Sequence, residues 1–152
     1  MKKVLIITYY WPPSGGPGVQ RVLKFAKYLP QFGWQPIILT VKNGEYPAID
    51  ESLAKDIPPE CKVYKTDSFE PSVLYRKFTG MKPDEKIPVA NLSQKNVSWK
   101  KRISNWIRLN FFVPDAKIGW IPLAVKEGKR IIKYEQPDII FSSSPPPTVH
   151  LI

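Results

Sequence analysis

The chain has 152 residues with 23 Lys and Arg against 13 Asp and Glu, so its formal net charge of +10 favours an anionic partner. Its hydrophobic residues make up 43% of the sequence, enough to bury a single sizeable core, which excludes global disorder. One cysteine and one histidine exclude an intrachain disulfide framework and a multi-histidine metal site, and every apolar run is too short for a transmembrane helix or a signal peptide.

The N-terminal segment predicts a strand, a glycine-rich turn, a helix and a second strand. Residues 2–8 (KKVLIIT) are almost entirely apolar after the first two, which is typical of a strand buried on both faces of a parallel sheet. Apolar positions three and four apart predict a helix from Val19 to Leu29, with Gly33 placed like a C-terminal cap. Residues 35–41 (QPIILTV) predict the second buried strand, which completes a βαβ unit.

The rest of the chain alternates in the same way. We predict a third strand at 62–66, a long loop at 79–98, an amphipathic helix at 99–112, a further helix at 118–134 and a buried strand at 138–141. No internal repeat and no linker between two cores is visible. The pattern predicts an α/β fold with a parallel sheet.

The glycines after the first strand are the sharpest candidate site. Gly15, Gly16 and Gly18 lie between this strand and its helix, and the carboxyl ends of parallel strands form the edge where ligands bind. Glycine permits a close backbone approach, and a helix N-terminus favours phosphate. The alternative is a tight turn that needs glycine for geometry alone. The GGPG order is neither a dinucleotide fingerprint nor a Walker loop, which disfavours binding of a nicotinamide cofactor or ATP.

The serines at 142–144 form a second candidate site, because they follow a predicted parallel strand and belong to the same edge. Serine before Pro145 suits a helix N-cap with proline at the first helical position, and the hydroxyls could line a sugar site. The alternative is simply a capped loop. Asp115 on its own could cap the helix that follows it.

The amphipathic segment at 99–112 (WKKRISNWIRLNFF) is a third candidate. It has basic residues, aromatic anchors and no acid, which is typical of a helix at an anionic membrane surface. We expect the membrane contact at Trp99, Lys100, Lys101, Trp106 and Arg108. The alternative is a helix packed on the sheet with a solvated basic rim. Nucleic acid is disfavoured, because the aromatic residues share the apolar face instead of alternating with the charges.

Three segments together resemble a known enzyme family. These are 9–21 (YYWPPSGGPGVQR), 113–120 (VPDAKIGW) and 137–152 (PDIIFSSSPPPTVHLI), and they are similar to the N-terminal half of GT-B glycosyltransferases of the retaining family 4. The likeness is greatest to bacterial enzymes of capsule, exopolysaccharide and O-antigen lipopolysaccharide synthesis. It implies a Rossmann-like domain over residues 1–152, with helices on both faces of its sheet. This domain would hold the acceptor and face a second domain that holds most of the nucleotide-sugar donor.

The resemblance also assigns roles to residues of this sequence. It gives the contact with the donor diphosphate to the glycine turn, formed by Gly15, Gly16 and Gly18. It gives the lining of the cleft on the acceptor side to Arg21, Asp115, Ser143, Ser144 and Pro145. No catalytic residue is assigned.

The family pattern departs from this chain at its end, because the family's sequences continue well beyond the position of Ile152. The donor domain, with its E-x7-E motif and basic phosphate clamp, has no counterpart in these residues. We therefore expect a fragment of a larger enzyme that is inactive alone.

The expected partners follow from the same resemblance. They are a nucleotide-sugar donor, a lipid-linked carbohydrate acceptor and an anionic membrane surface, with the enzyme cytoplasmic and peripheral to the inner membrane. We expect neither a cofactor nor a metal, because GT-B enzymes generally need no bound metal. The alternative is a non-catalytic basic Rossmann-like module that binds polyanions.

Overall fold

A computed structural model of the chain describes residues 1–69 and 113–152. Its strands and α-helices are β1 (Lys2–Ile7), α1 (Pro17–Tyr28), β2 (Trp34–Val41), β3 (Lys62–Thr66), α2 (Ile121–Glu135) and β4 (Ile139–Ser142). Short 3₁₀ helices occupy Leu29–Phe32, Glu51–Asp56, Ile118–Trp120 and Pro147–Leu151. The predicted loop at 79–98 and the predicted amphipathic helix at 99–112 lie outside the described residues.

The described strands form one parallel sheet in the order β3-β2-β1-β4. Leu5 of β1 is in register with Ile37 of β2 on one side and with Ile140 of β4 on the other. The chain runs outward from β1 through β2 to β3 and then returns to the opposite side of β1. This reversal of strand order creates a topological switch point between β1 and β4, where open α/β sheets bind ligands.

Buried apolar clusters cover both faces of the sheet, which explains why β1 and β2 are apolar at nearly every position. The cluster on the face of α2 contains Leu5, Ile7, Ile37, Leu39, Trp120, Ala124 and Ile131. The cluster on the face of α1 contains Val4, Ile6, Trp11, Val22, Leu23, Ala26 and Ile38. The predicted α/β Rossmann-like fold, with helices on both faces of a parallel sheet, is confirmed.

Strand β4 differs from its prediction, because it is exposed on both faces. The exposed fractions of Ile139, Ile140 and Phe141 are 50%, 53% and 38%. Within the described residues β4 lies at the edge of the sheet and pairs with β1 alone, whereas the two buried clusters cover β1 and β2. An apolar run therefore predicted the strand correctly and its burial wrongly.

A network of ion pairs joins three elements at the amino end of the sheet. The buried carboxylate of Glu135, at the end of α2, lies 2.8 Å from Lys62 Nζ and accepts a hydrogen bond from the hydroxyl of Tyr64 at 2.6 Å. Lys3 Nζ donates to the main-chain carbonyl of Glu135 at 2.6 Å and lies 3.5 Å from its carboxylate. The hydrogen bonds from Lys62 and Tyr64 lower the pKa of Glu135 to about 2. The network ties β1, β3 and α2 together.

We expect Glu135→Gln to lower the free energy of unfolding by about 2 kcal/mol at neutral pH, because its charged hydrogen bonds are lost. The pKa of this carboxyl falls on folding from 4.5 to about 2, so its contribution is complete above the unfolded value and disappears as the pH falls through the folded value. Urea unfolding of both proteins at a series of pH values from neutral down to about 2 measures the loss of stability and its dependence on pH.

The matched control is Glu127→Gln, which removes a carboxylate whose partner on the same helix is the exposed Arg130. Such an exposed pair contributes about 0.5 kcal/mol or less to the free energy of unfolding, so Glu127→Gln should change it by no more than that. A stability difference between wild type and Glu135→Gln that stays constant across the acidic range would contradict the assignment.

Candidate functional site

The loops that follow β1 and β4 leave the sheet side by side at its carboxyl edge. Beyond the last paired residues, the amide of Ser143 donates to the carbonyl of Ile7 at 3.1 Å. The amide of Thr8 donates to Leu39 on the neighbouring strand β2, also at 3.1 Å. The glycine turn and the serine-proline loop (residues 142–148) therefore flank the switch point, as the sequence predicts.

Two contacts join the first turns of α1 to the serine-proline loop. A Cβ atom built at Gly18 would lie 3.9 Å from Cδ of Pro145, an ordinary van der Waals distance, so the first turn of the helix lies against the loop. One turn later, the guanidinium of Arg21 donates to the main-chain carbonyl of Ser144. The structure thus brings four of the predicted site residues together.

The N-terminus of α1 is the most open part of this site. Gly16 is the N-cap with φ 98° and ψ 175°, it is exposed, and Pro17 follows it at the first helical position. No described side chain caps this end, and no acid lies in its first turn. The first amides of a helix lack partners within it, so those of Gly16 and Gly18 and the positive end of the helix dipole favour an anion.

Gly15 has a different role from the one predicted for it. Its amide donates to the carbonyl of Ala48 at 2.8 Å, and a Cβ atom at this position would lie 3.3 Å from Cβ of Asp50. This hydrogen bond leaves no amide proton of Gly15 for a diphosphate. Glycine suits the close packing on residues 48–50, and of the three glycines predicted to contact a diphosphate, Gly16 and Gly18 are left as candidates.

Lys117 supports the loop on which Gly15 packs, a role that the sequence analysis missed. Its side chain is nearly buried, and its ammonium group lies 3.0 Å from the carboxylate of Glu45 and 5.2 Å from the ring centre of Tyr9. The hydroxyl of Tyr9 also accepts a hydrogen bond from the amide of Glu45 at 3.3 Å. Nothing in the sequence marks this lysine, because its partner is 72 residues away.

Asp115 is not the N-cap of the 3₁₀ helix that follows it, because Lys117 has that position, but its carboxylate binds two main-chain amides. Its Oδ1 accepts from the amide of Lys117 at 2.8 Å, at the start of the next 3₁₀ helix. Its Oδ2 accepts from the amide of Thr148 at 2.7 Å, in the 3₁₀ helix that ends the serine-proline loop. Asp115 therefore lies beside this loop, with both oxygens bound to main-chain amides.

The serine-proline loop also departs from its predicted capping pattern. The 3₁₀ helix begins at Pro147 with Pro146 as its N-cap, so neither Ser144 nor Pro145 has the predicted position at a helix start. Asp115, which is distant in sequence, supplies the acceptor for the amide of Thr148 in this helix. Ser143 is buried, Ser144 is half-buried and Pro145 is exposed.

The predicted membrane contact lies outside the described residues. It comprises Trp99, Lys100, Lys101, Trp106 and Arg108. Among residues 1–69 and 113–152, no helix has the length and apolar character needed to cross a membrane. The same residues contain no group of three or more His, Cys, Asp or Glu placed to hold a metal ion.

Comparisons of the chain with protein-family models, with curated proteins and with solved structures gave no match.

We expect Gly16→Ala to lower the free energy of unfolding by about 2 kcal/mol, because its backbone conformation belongs to a region that is essentially restricted to glycine. Crowding is not the cause, since no atom lies within 4 Å of a Cβ atom built there. Urea unfolding measures the loss.

The control is Gly33→Ala, at the left-handed position after α1 with φ 78° and equally open space. We expect Gly33→Ala to lower the free energy of unfolding by about 1 kcal/mol. Unchanged stability in Gly16→Ala would show that the helix begins with a different backbone conformation.

Proposed function

We propose that this chain is the acceptor-side domain of a retaining GT-B glycosyltransferase. The whole enzyme would transfer a sugar from a nucleotide-diphosphate-sugar donor to a lipid-linked carbohydrate in the synthesis of bacterial surface polysaccharide. One observation carries the proposal: the uncapped N-terminus of α1 lies at the switch point, in contact with the serine-proline loop. The resemblance of the three segments to family 4 enzymes supports the same assignment.

In this proposal the donor diphosphate lies at the N-terminus of α1. The amides of Gly16 and Gly18 donate to its oxygens, and the helix dipole adds a partial positive charge. These groups are fixed before the reaction, so they stabilise the negative charge that grows on the diphosphate as the glycosidic bond to the donor breaks. Arg21, whose guanidinium is already oriented by the carbonyl of Ser144, adds a full positive charge one turn further along the helix.

The acceptor sugar lies against the serine-proline loop on the other side of the switch point. Ser144 is half-buried and Pro145 is exposed beside Gly18, so this part of the loop reaches the rim of the sheet. A serine hydroxyl both donates and accepts hydrogen bonds, which suits a sugar hydroxyl. Ser143 is 6% exposed and contributes chiefly through its main chain.

The enzyme would act at the cytoplasmic face of the inner membrane, without crossing it. The net charge of +10 attracts anionic lipid, and the basic aromatic segment at 99–108 supplies residues suited to the interface. A membrane-bound position brings the site to a lipid-linked acceptor.

One observation favours a second function, a basic module that binds polyanions. Lys126, Lys129 and Lys133 are exposed on α2, and their spacing places them on one side of the helix. Ala124 and Ile131 are buried on the other side, so the three lysines point away from the sheet. A row of cations of this kind binds anions through charge alone.

We expect inorganic pyrophosphate to shift the amide resonances of Gly16 and Gly18 in heteronuclear NMR spectra of the chain. Arg21→Gln should raise the pyrophosphate Kd by about fivefold, because a nearby full charge contributes roughly 1 kcal/mol. Lys133→Gln removes the same charge far from the switch point and should leave the Kd within about twofold.

The same titration separates the two functions. Equal losses of affinity in Arg21→Gln and Lys133→Gln, with shifts spread along α2, would support the polyanion module. The absence of shifts at Gly16 and Gly18 at saturating pyrophosphate would refute the proposed donor contact.

A further inference from the structure

Asp115 bridges two main-chain amides that are far apart in sequence. The amide of Lys117 donates to one carboxylate oxygen at 2.8 Å, and the amide of Thr148, 33 residues away from Asp115, donates to the other at 2.7 Å. Thr148 is fully buried, so water has no ready access to replace its acceptor. The carboxylate is therefore a fixed link between the turn at 115–117 and the serine-proline loop.

The chemistry of the two partners explains why this residue is an aspartate. Each partner is an amide N–H group, which can only donate, so position 115 must supply two acceptors in different directions. A carboxylate has two acceptor oxygens, whereas the amide of asparagine has one oxygen and an NH₂ group that only donates. Asparagine has nearly the same shape, yet it would bring a donor against one of the two amides.

The link extends to both sides of the candidate site. On one side, Thr148 belongs to the loop whose Ser144 carbonyl holds the guanidinium of Arg21. On the other side, the residue whose amide Asp115 binds, Lys117, anchors Glu45 at 3.0 Å. Glu45 lies three residues before Ala48, whose carbonyl binds the amide of Gly15.

We propose that Asp115 is a positioning residue, which sets the distance between the serine-proline loop and the N-terminus of α1 and thereby tunes the affinity of that N-terminus for a diphosphate. In this proposal Asp115 acts without binding the diphosphate, because a carboxylate has no donor to offer a phosphate oxygen and repels its charge. The effect on ligand affinity rests on the proposed function, whereas the link between the loops does not. This role differs from the lining of the acceptor cleft that the family resemblance implies.

The test compares Asp115→Ala with Thr148→Val in two measurements, amide hydrogen exchange at position 148 and the Kd for inorganic pyrophosphate. Thr148→Val keeps the main-chain amide that Asp115 binds, and the hydroxyl that it removes is buried without a hydrogen-bond partner among the described residues. In Asp115→Ala, which removes both acceptor oxygens, we expect exchange at position 148 to accelerate and the Kd to rise, each by about tenfold, as the loss of one hydrogen bond to a charged group implies. Thr148→Val should leave both within about twofold.

A folding control and a rescue variant separate loss of the link from loss of the fold. Unchanged exchange protection of the amides of β1 and β2 shows that each variant is folded. Asp115→Glu, which keeps two acceptor oxygens, should recover part of the lost affinity. If Asp115→Ala fails to fold, Asp115→Asn, which keeps the shape and loses one acceptor, takes its place with exchange measured at positions 117 and 148.

Each result decides the proposal. Slow exchange at position 148 in Asp115→Ala overturns the link, and fast exchange with an unchanged pyrophosphate Kd overturns the positioning role. If the wild-type chain shows no pyrophosphate-induced shifts at Gly16 and Gly18, the proposed function fails and so does the effect on affinity. The exchange rate then still supports or overturns the link between the loops.

Discussion

The register of β1 against β4 places Ile7 opposite Ser142, and the amide of Ser143 then donates to the carbonyl of Ile7. Because the two strands are parallel, their following loops must leave the same edge of the sheet next to each other. The contact between Gly18 and Pro145 and the bond from Arg21 to Ser144 depend on this placement. A site built from residues more than 120 positions apart thus follows from the pairing of two neighbouring strands.

The ion-pair network at the amino end of the sheet contrasts with the N-terminus of α1 at its carboxyl edge. At the amino end, the carboxylate of Glu135 joins Lys3, Lys62 and Tyr64, and this network stabilises the packing of α2 on the sheet. At the carboxyl edge, the N-terminus of α1 is left without an acid or a capping side chain. A carboxylate there would oppose the binding of an anion, so its absence from the first turn suits a diphosphate site.

The sequence predicted what depends on local pattern. The apolar runs predicted β1 and β2 to within one residue at each end, the predicted third strand matches β3, and helical spacing predicted the buried face of α1, including Val22 and Ala26. The glycine and serine-proline segments were placed correctly at one edge, because parallel topology alone determines this. The exposure of β4 was missed, since an apolar run looks the same in an edge strand as in a central one. Three contacts were missed because their partners are distant in sequence. They are the hydrogen bond from the amide of Gly15 to Ala48, the ion pair of Lys117 with Glu45, and the hydrogen bond from the amide of Thr148 to Asp115.

The central claim is that the first main-chain amides of α1 bind a diphosphate, and a crystal structure of this chain with uridine diphosphate tests it most directly. The account predicts phosphate oxygens at about 3 Å from the amide nitrogens of Gly16 and Gly18. A diphosphate bound along the lysines of α2, with the N-terminus of α1 in contact only with solvent at full ligand occupancy, would contradict it.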